Sequence, residues 1–518
     1  MAGICSYFLM KLFITALALT LVLSCMAPRA ASTQSGTHYD FESVKSGIRQ
    51  KINDHKVVSV AVAVAKDGHI LWEEGFGSAN REKSQLATPH TPYSLASISK
   101  PITATGLMTL VERNKVGLDN SINDYLGDVK IAGLAGDVSR ASIRQVLSHT
   151  SGLPLHYHFF YENTDEQLAP MEQTIRRYGI LVNPPGEVFE YSNLGYGILG
   201  ELISRVSGQT YADFMTREVF LPLGMGDSFV AIGSVAKKGL AVRYDSQQLP
   251  LPNYDFDHRA ASAIYSSADD LIRFGMFQLK DEIRGQRKIL QPSTIDQMQR
   301  VATPPHGEKD YGFGWFVNDL DKPFAKVSHT GGMPGVSTVL NLYPKQDLAI
   351  VVLANSRSHD VDEIAAQIAE SVLPEFTTAI REDLKRRKQE PDNFPKLANP
   401  PQELVGVWEG EVKTWEQTLD MKLVVSPDGE AKVKLGTEPD AEVKELSFKD
   451  GDLRGRFAGT IPTADARLYP HSVRLDLHLR NGKLSGEITA QTIEDHDHFA
   501  LTSYGELGRV SVDTRPDR

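Results

Sequence analysis

The 518 residues predict an α+β domain followed by a small all-β barrel. Three observations carry that prediction. Residues 41–376 alternate strand-like and helix-like segments, with apolar strands near both ends. A charged, proline-bearing stretch then interrupts the chain from about residue 381. Beyond it, short runs of alternating apolar and polar residues are separated by Asp-Gly and Asn-Gly turns.

Taken in order, the chain opens with Cys5, Lys11 and the apolar run Leu12–Leu23. That run has the length and polarity of a secretory h-region and falls short of the roughly 20 apolar residues a membrane span needs. Residues 1–35 are expected to be a signal or lipoprotein leader. Val22-Leu23-Ser24-Cys25 resembles a bacterial lipobox, so lipidation at Cys25, ordinary cleavage and an uncleaved anchor are all open. The expected location is periplasmic, membrane-anchored through Cys25, or secreted. Both cysteines lie in the leader, so a processed chain relies on its core and not on disulfides.

Residues 36–380 form the expected first domain. Val57–Val64 is β-branched and apolar, and Asp67-Gly68 turns it into Ile70-Leu71-Trp72, a hairpin. Leu348–Ala354 reads as a buried strand, and Val361, Ile364, Ala365, Ile368 and Val372 follow at helical spacing. Strands at both ends imply a sheet that joins the two ends of the domain. Residues 381–401 carry Lys385-Arg386-Arg387-Lys388 and four prolines, and are expected to be a linker. In residues 402–518, Leu419, Met421 and Leu423 alternate with polar residues, as do Val473, Leu475, Leu477 and Leu479. Asp428-Gly429, Asp450-Gly451 and Asn481-Gly482 stand where hairpin turns would, and a small antiparallel barrel follows.

Composition narrows the function. Hydrophobic residues at 41% and charged residues at 23% match soluble globular chains, which excludes disorder, collagen and coiled coil as the main state. The net charge of -11 opposes attraction to phosphate backbones and anionic lipid, so no nucleic-acid partner is expected. The sequence says nothing of oligomeric state.

Three elements carry chemistry. Ser97-Ile98-Ser99-Lys100 precedes the apolar stretch Ile102–Val111, and Pro101 is tolerated in a first helical turn. Residues i and i+3 share a helix face, which lets the Lys100 amine meet the Ser97 hydroxyl, provided burial or nearby cations lower its pKa. A helix cap followed by a surface lysine is the plainer alternative. Tyr191-Ser192-Asn193 follows the stiff Pro184-Pro185-Gly186-Glu187 and precedes a helix, so Tyr191 sits at a loop-helix junction. His329-Thr330-Gly331-Gly332 ends the strand-like Ala325–Ser328 and puts a histidine, a hydroxyl and open glycine backbone at a sheet margin.

Ser-x-x-Lys with companion motifs marks β-lactamases and penicillin-binding proteins. With its three elements in this order, the chain resembles the serine β-lactamase-related family, in the branch of class C β-lactamases, D-alanyl-D-alanine carboxypeptidases, D-aminopeptidases and family VIII carboxylesterases. Val146–Pro154, Ser266–Leu271 and Tyr311-Gly312-Phe313-Gly314-Trp315 extend the match over residues 40–375. Leu404–Gly410 resembles the first strand of lipocalin-like domains appended to some serine hydrolases.

The resemblance implies an antiparallel sheet flanked by helices, an additional all-helical region, and an exported serine hydrolase forming an acyl-enzyme on Ser97. Its small-molecule or peptide substrate would be an ester or amide: a carboxylesterase or D-amino-acid peptidase substrate, or a β-lactam. A slow-deacylating penicillin-binding or sensor protein is the alternative, and a retired structural protein a third. Lys100 and Tyr191 would share general-base and proton-shuttle roles. Asn193, His329, Thr330, Gly331 and Gly332 would contact substrate, with the Ser97 and Gly332 N-H groups as the oxyanion hole. His149 corresponds to a structural family element. No cofactor and no metal are needed.

Two departures bear on the substrate. His329 stands where many class C β-lactamases carry lysine, and a histidine is mostly neutral at pH 7, which weakens its pull on a carboxylate. Ser262-Ala263 replaces a frequent Gly-Gly, which puts the local backbone conformation in question. Two further clusters invite attention. Glu494-Asp495-His496-Asp497-His498 is either a metal-ligand set or a solvated turn, with the turn favoured. The aromatic run His156–Tyr161 is either a cleft wall or core packing.

Overall fold

The computed structural model describes residues 39–233, 239–304, 310–318, 320–389, 397, 399–493 and 498–510. The expected leader, both cysteines and residues 494–497 lie outside the described residues.

Helix α1 (Glu42–Asn53) buries Val44 and Ile48. Strands β1 (Ser59–Lys66) and β2 (His69–Asn80) form the expected hairpin, and β2 pairs in turn with β3 (Gln85–Leu86). Asp67 and Gly68 take φ of 51° and 72°, the left-handed pair that a two-residue turn needs to follow strand twist. Helix α2 (Ser99–Glu112) is buried from Ser99 to Leu110. A helix apolar all round belongs in the middle of a domain, and this one carries Lys100 into the interior. There follow β4 (Tyr157–Tyr161), α3 (Met171–Tyr178), α4 (Asn193–Ser207), β5 (Tyr254–Phe256), α5 (Arg259–Ser262) and α6 (Ala268–Gln278).

Strands β6 (Phe316–Asn318), β7 (Lys326–Met333), β8 (Val336–Tyr343) and β9 (Leu348–Ala354) complete an antiparallel sheet in the order β6-β7-β8-β9-β1-β2-β3. The pairing of β9 with β1, Val352 opposite Val62, joins the two ends of the domain as expected. Buried on both faces, these strands read as continuous apolar runs. Gly275 lets α6 approach the sheet, where a Cβ would meet Ala349 and Leu340 at 3.2 and 3.4 Å. Helix α7 (Asp360–Val372) buries the predicted Val361, Ile364, Ala365, Ile368 and Val372.

The expected linker does not begin at residue 381. Helix α8 (Thr377–Gln389) runs through its first nine residues, held by Arg381 on Glu370 at 2.8 Å and by Asp383 on the buried Lys326. Of the basic run that suggested a hinge, Arg386 pairs with Asp383 at 2.7 Å within the helix.

The C-terminal strands are β10 (Gly406–Lys413), β11 (Thr418–Val425), β12 (Ala431–Leu435), β13 (Ala441–Glu442), β14 (Lys444–Lys449), β15 (Asp452–Phe457), β16 (His471–Arg480), β17 (Lys483–Thr492) and β18 (Phe499–Arg509). They pair antiparallel along the path β13-β12-β11-β10-β18-β17-β16-β15-β14. Only Val443 separates β13 from β14, so the two ends of the path are neighbours in the chain and the sheet nearly closes into a barrel. Trp408, Leu423, Leu475, Leu477, Leu484 and Ile488 fill it, and all three predicted glycine turns connect its hairpins.

The aromatic run packs in the core, with His156, Phe159, Phe160 and Tyr161 buried, and it does so as a strand. As β4 it pairs with β5 and with β18, His158 opposite Phe499, so a strand of the first domain is added to the barrel's sheet. Tyr178 donates to Asp465, and the Arg177 guanidinium lies 4.5 Å over the Trp415 ring.

One acid is buried where the barrel meets the first domain. Glu487 on β17 is 1% exposed, neither of its oxygens has a hydrogen-bond partner, and Arg474 stands 3.9 Å away. Burial pushes its carboxyl up to about 7, Asp476 adding to the rise and Arg474 opposing it. The folded chain therefore holds a proton that the unfolded chain releases above its ordinary carboxylate pKa, and stability falls as pH rises from about 4.5 through about 7. Glu487→Gln is expected to flatten the pH dependence of the urea midpoint across that window and to raise the midpoint at pH 8.

Candidate active site

Ala96 adopts φ 48°, a strained conformation for a residue with a Cβ, and turns the chain from a short strand into the 3-10 turn Ala96–Ile98 that leads into α2. Ser97 is thereby left half-buried at the helix mouth while Ile98, Ser99 and Lys100 are buried. Around this turn the Leu95 N-H donates to the Ile264 carbonyl at 2.9 Å, and the Ile264 N-H donates to Ser99 Oγ at 3.1 Å.

Lys100 Nζ has three oxygen neighbours: Asn193 Oδ1 at 2.7 Å, Ser97 Oγ at 3.2 Å and the Ala261 carbonyl at 3.3 Å. Burial holds the amine well below its usual pKa. A neutral amine has two N-H donors and one lone pair. The Asn193 and Ala261 oxygens can only accept, so they take the two N-H groups and the lone pair is left for the Ser97 hydroxyl. The nitrogen also lies 4.7 Å from the centre of the Tyr191 ring.

Tyr191 ends the loop ahead of α4, and Ser192 caps that helix by accepting from the Gly195 N-H at 2.9 Å. Burial pushes the Tyr191 phenol above its usual range, a hydrogen bond with Ser97 opposing the rise. Burial thus moves the phenol and the amine in opposite directions, up for Tyr191 and down for Lys100. His149 lies beneath, its ring centre 4.4 Å from that of Tyr191, with Nδ1 accepting from the Ser192 N-H at 3.0 Å. Burial holds the His149 imidazole well below its usual pKa. It supports Tyr191 and does not reach Ser97 as a base, in keeping with its reading as structural.

The strand carrying His329-Thr330-Gly331-Gly332 does not end at Ser328; β7 continues to Met333 because β8 pairs with it throughout. Strand alternation then sorts the motif. Thr330 is half-exposed and Gly332 fully exposed, with nothing within 4 Å of the place a Cβ would occupy. Gly331 and His329 face inward. His329 is 1% exposed; its Nδ1-H donates to the Thr330 carbonyl at 2.7 Å and its Nε2 is hydrogen-bonded with the Tyr311 hydroxyl at 3.0 Å. Where the sequence led us to expect substrate contact by His329, both ring nitrogens are already engaged within the protein.

Ser262-Ala263 needs no glycine: it closes the helical turn α5, and Ala263 has φ −93°. That turn delivers the Ala261 carbonyl to Lys100. The sequence offered no means of seeing a backbone acceptor, nor the roles of Tyr311 and His149, whose partners arrive from distant segments. Glu494–Asp497 lies outside the described residues, where His498 stacks on Tyr469 at 3.7 Å. Among the described residues, no group of three or more His, Cys, Asp or Glu side chains is placed to hold a metal ion.

A buried Ser-x-x-Lys helix start, a tyrosine facing it and an open glycine strand edge together define a β-lactamase-fold serine hydrolase site. The β-lactamase family model matches residues 44–373, and the chain belongs to that family. Penicillin-binding protein 4* of Bacillus subtilis (strain 168) is 28% identical over 336 residues, covering 60% of this chain and 71% of that protein. The octameric penicillin-binding protein homologue from Pyrococcus abyssi shares the fold over 90% of this chain and 99% of its own, with TM-score 0.57 and 22% identity. A class C β-lactamase from Rhodobacter sphaeroides covers 67% of this chain and 99% of its own, with TM-score 0.52 and 20% identity.

Gly331 makes the site sensitive to a single methyl group. A Cβ there would stand 2.1 Å from the Leu95 carbonyl oxygen and 2.2 Å from Thr338 Oγ1, which itself donates to that carbonyl at 2.9 Å. Gly331→Ala is expected to cost about 1–3 kcal/mol of stability, read by urea unfolding, and to slow Ser97 acylation by displacing the turn that carries it.

Proposed function

We propose that this protein is an exported hydrolase that acylates Ser97 with an ester or amide and releases the acyl group to water. The observation that carries the reading is the buried Lys100 amine, 3.2 Å from Ser97 Oγ and held by the Asn193 and Ala261 oxygens at 2.7 and 3.3 Å. Lys100 takes the Ser97 proton as Oγ attacks the substrate carbonyl. The negative oxygen forms between the Ser97 and Gly332 N-H groups. Tyr191, protonated and hydrogen-bonded to Ser97, relays a proton to the leaving group as the tetrahedral intermediate collapses. Water then attacks the acyl-enzyme, and the proton it loses passes back through Lys100 and Tyr191, regenerating the hydroxyl. Asn193 orients Lys100 and faces the attacked group; Thr330 presents its side chain to the cleft.

The substrate we favour is an ester or an uncharged amide. His329 stands where a lysine would draw a carboxylate such as that of a β-lactam or a D-alanyl-D-alanine terminus, and it is buried with both ring nitrogens engaged by Thr330 and Tyr311. No helix of the described residues is long and apolar enough to cross a membrane. The proposed export is supported by the apolar run within residues 1–35, which also holds Cys25.

Purified protein assayed side by side on a short-chain p-nitrophenyl ester, a chromogenic cephalosporin and a D-alanyl-D-alanine peptide is expected to cleave the ester fastest. Ser97→Ala is expected to abolish acylation with the fold intact, and Tyr191→Phe to lower kcat more than it raises KM. Ester hydrolysis surviving in Ser97→Ala would refute the site. An acyl-enzyme persisting for hours by intact mass would replace turnover with a sensor-like role.

A further inference from the structure

The loop that presents Tyr191 is gripped from both sides, and one grip comes from the barrel. On the inner side the Gly186 N-H donates to the Thr150 carbonyl at 2.7 Å, and the Glu190 N-H to the His149 carbonyl at 2.8 Å. On the outer side stands Arg480, the last residue of β16. Its Nη2 donates to Asn183 Oδ1 at 3.1 Å, and its Nε lies 3.3 Å from the Glu187 carboxylate. Asn183 is fully buried and opens the Pro184-Pro185-Gly186 turn; Glu187 closes it, four residues before Tyr191.

We propose that Arg480 of the barrel is a positioning residue for Tyr191, so that the C-terminal barrel completes the active site by setting where the catalytic phenol stands.

Three features make Arg480 suited to this. Its planar guanidinium offers several donors in one fork and can hold an amide and a carboxylate at once. Its backbone is set firmly, because Arg480 pairs with Lys483 across the Asn481-Gly482 turn, whose φ angles of 49° and 76° close a tight hairpin. The barrel is itself tied to the first domain by the β18–β4 pairing, with the Phe159 N-H donating to the His498 carbonyl at 2.7 Å. The prolines stiffen the stretch between the two anchors, so a displacement at Asn183 or Glu187 is passed toward Tyr191 and not absorbed. The neighbouring pair Lys483–Glu506, at 2.8 Å, joins two barrel strands and touches nothing on the loop, which makes it a matched control.

The inference rests on Tyr191 being the catalytic phenol, and the test separates the two. Pre-steady-state acylation of Ser97 by a p-nitrophenyl ester is measured in the full chain and in Arg480→Ala, Arg480→Lys, Glu187→Ala, Lys483→Ala and Tyr191→Phe, with unfolding midpoints taken in parallel. Arg480→Ala is expected to slow acylation about tenfold or more with KM within about twofold, since small misplacements of a reacting group are costly in rate. Arg480→Lys should recover part of the loss, Glu187→Ala should show part of it despite the exposure of Glu187, and Lys483→Ala should match the parent. Arg480→Ala placed on Tyr191→Phe should add little, because the group it positions is already gone. Parent-like acylation in Arg480→Ala, or a loss that adds in full to that of Tyr191→Phe, overturns the positioning role. Parent-like acylation in Tyr191→Phe overturns the reading of Tyr191 and the inference with it.

Discussion

The site depends on one buried amine. Lys100 sits in a helix that is enclosed from Ser99 to Leu110, and the cost of keeping a charge there drives its pKa well down. The sheet forces the helix inward, α5 offers its Ala261 carbonyl, and α4 offers Asn193. Each of those acceptors removes one N-H direction, so what is left at Ser97 is a lone pair. Tyr191 experiences the same burial with the opposite consequence, because desolvation keeps a phenol protonated. One enclosed space thus lowers the pKa of an amine and raises that of the phenol beside it.

The barrel is not a tethered passenger. A strand of the first domain extends its sheet, Tyr178 and Arg177 engage Asp465 and Trp415, and Arg480 reaches the loop ahead of Tyr191. Backbone pairing at a sheet edge gives such a contact a fixed register, which loose side-chain packing does not. An acid is enclosed at the same joint: Glu487 lies beside Arg474 and Asp476.

Much of this was legible in the residues, and the limits have physical causes. The β1–β2 hairpin, the closing strand β9 and the three barrel turns could be read because alternation and Asp-Gly or Asn-Gly pairs are local signals. Ser97 and Lys100 were within reach of i, i+3 spacing, the roles given to Tyr191 and Asn193 came from the family resemblance, and the structure brings all four together. What escaped was non-local. The aromatic run became a sheet edge because its partner lies more than 300 residues away. The charged run after Thr377 became helix because Glu370 and Lys326 pair with it. His329 was read as a substrate group, but its inward face follows from β8 extending β7 through Met333.

The central claim is that Lys100 is neutral at rest and activates Ser97. The most direct measurement is the rate of covalent labelling by a serine-reactive phosphonate as a function of pH, with the labelled peptide identified by mass. With Lys100 as the proposed base, a single label is expected on the peptide containing Ser97, at a rate whose rise with pH is complete well below the ordinary lysine pKa. A label elsewhere, or a rate that climbs steadily to the ordinary lysine pKa of 10.5, would contradict it.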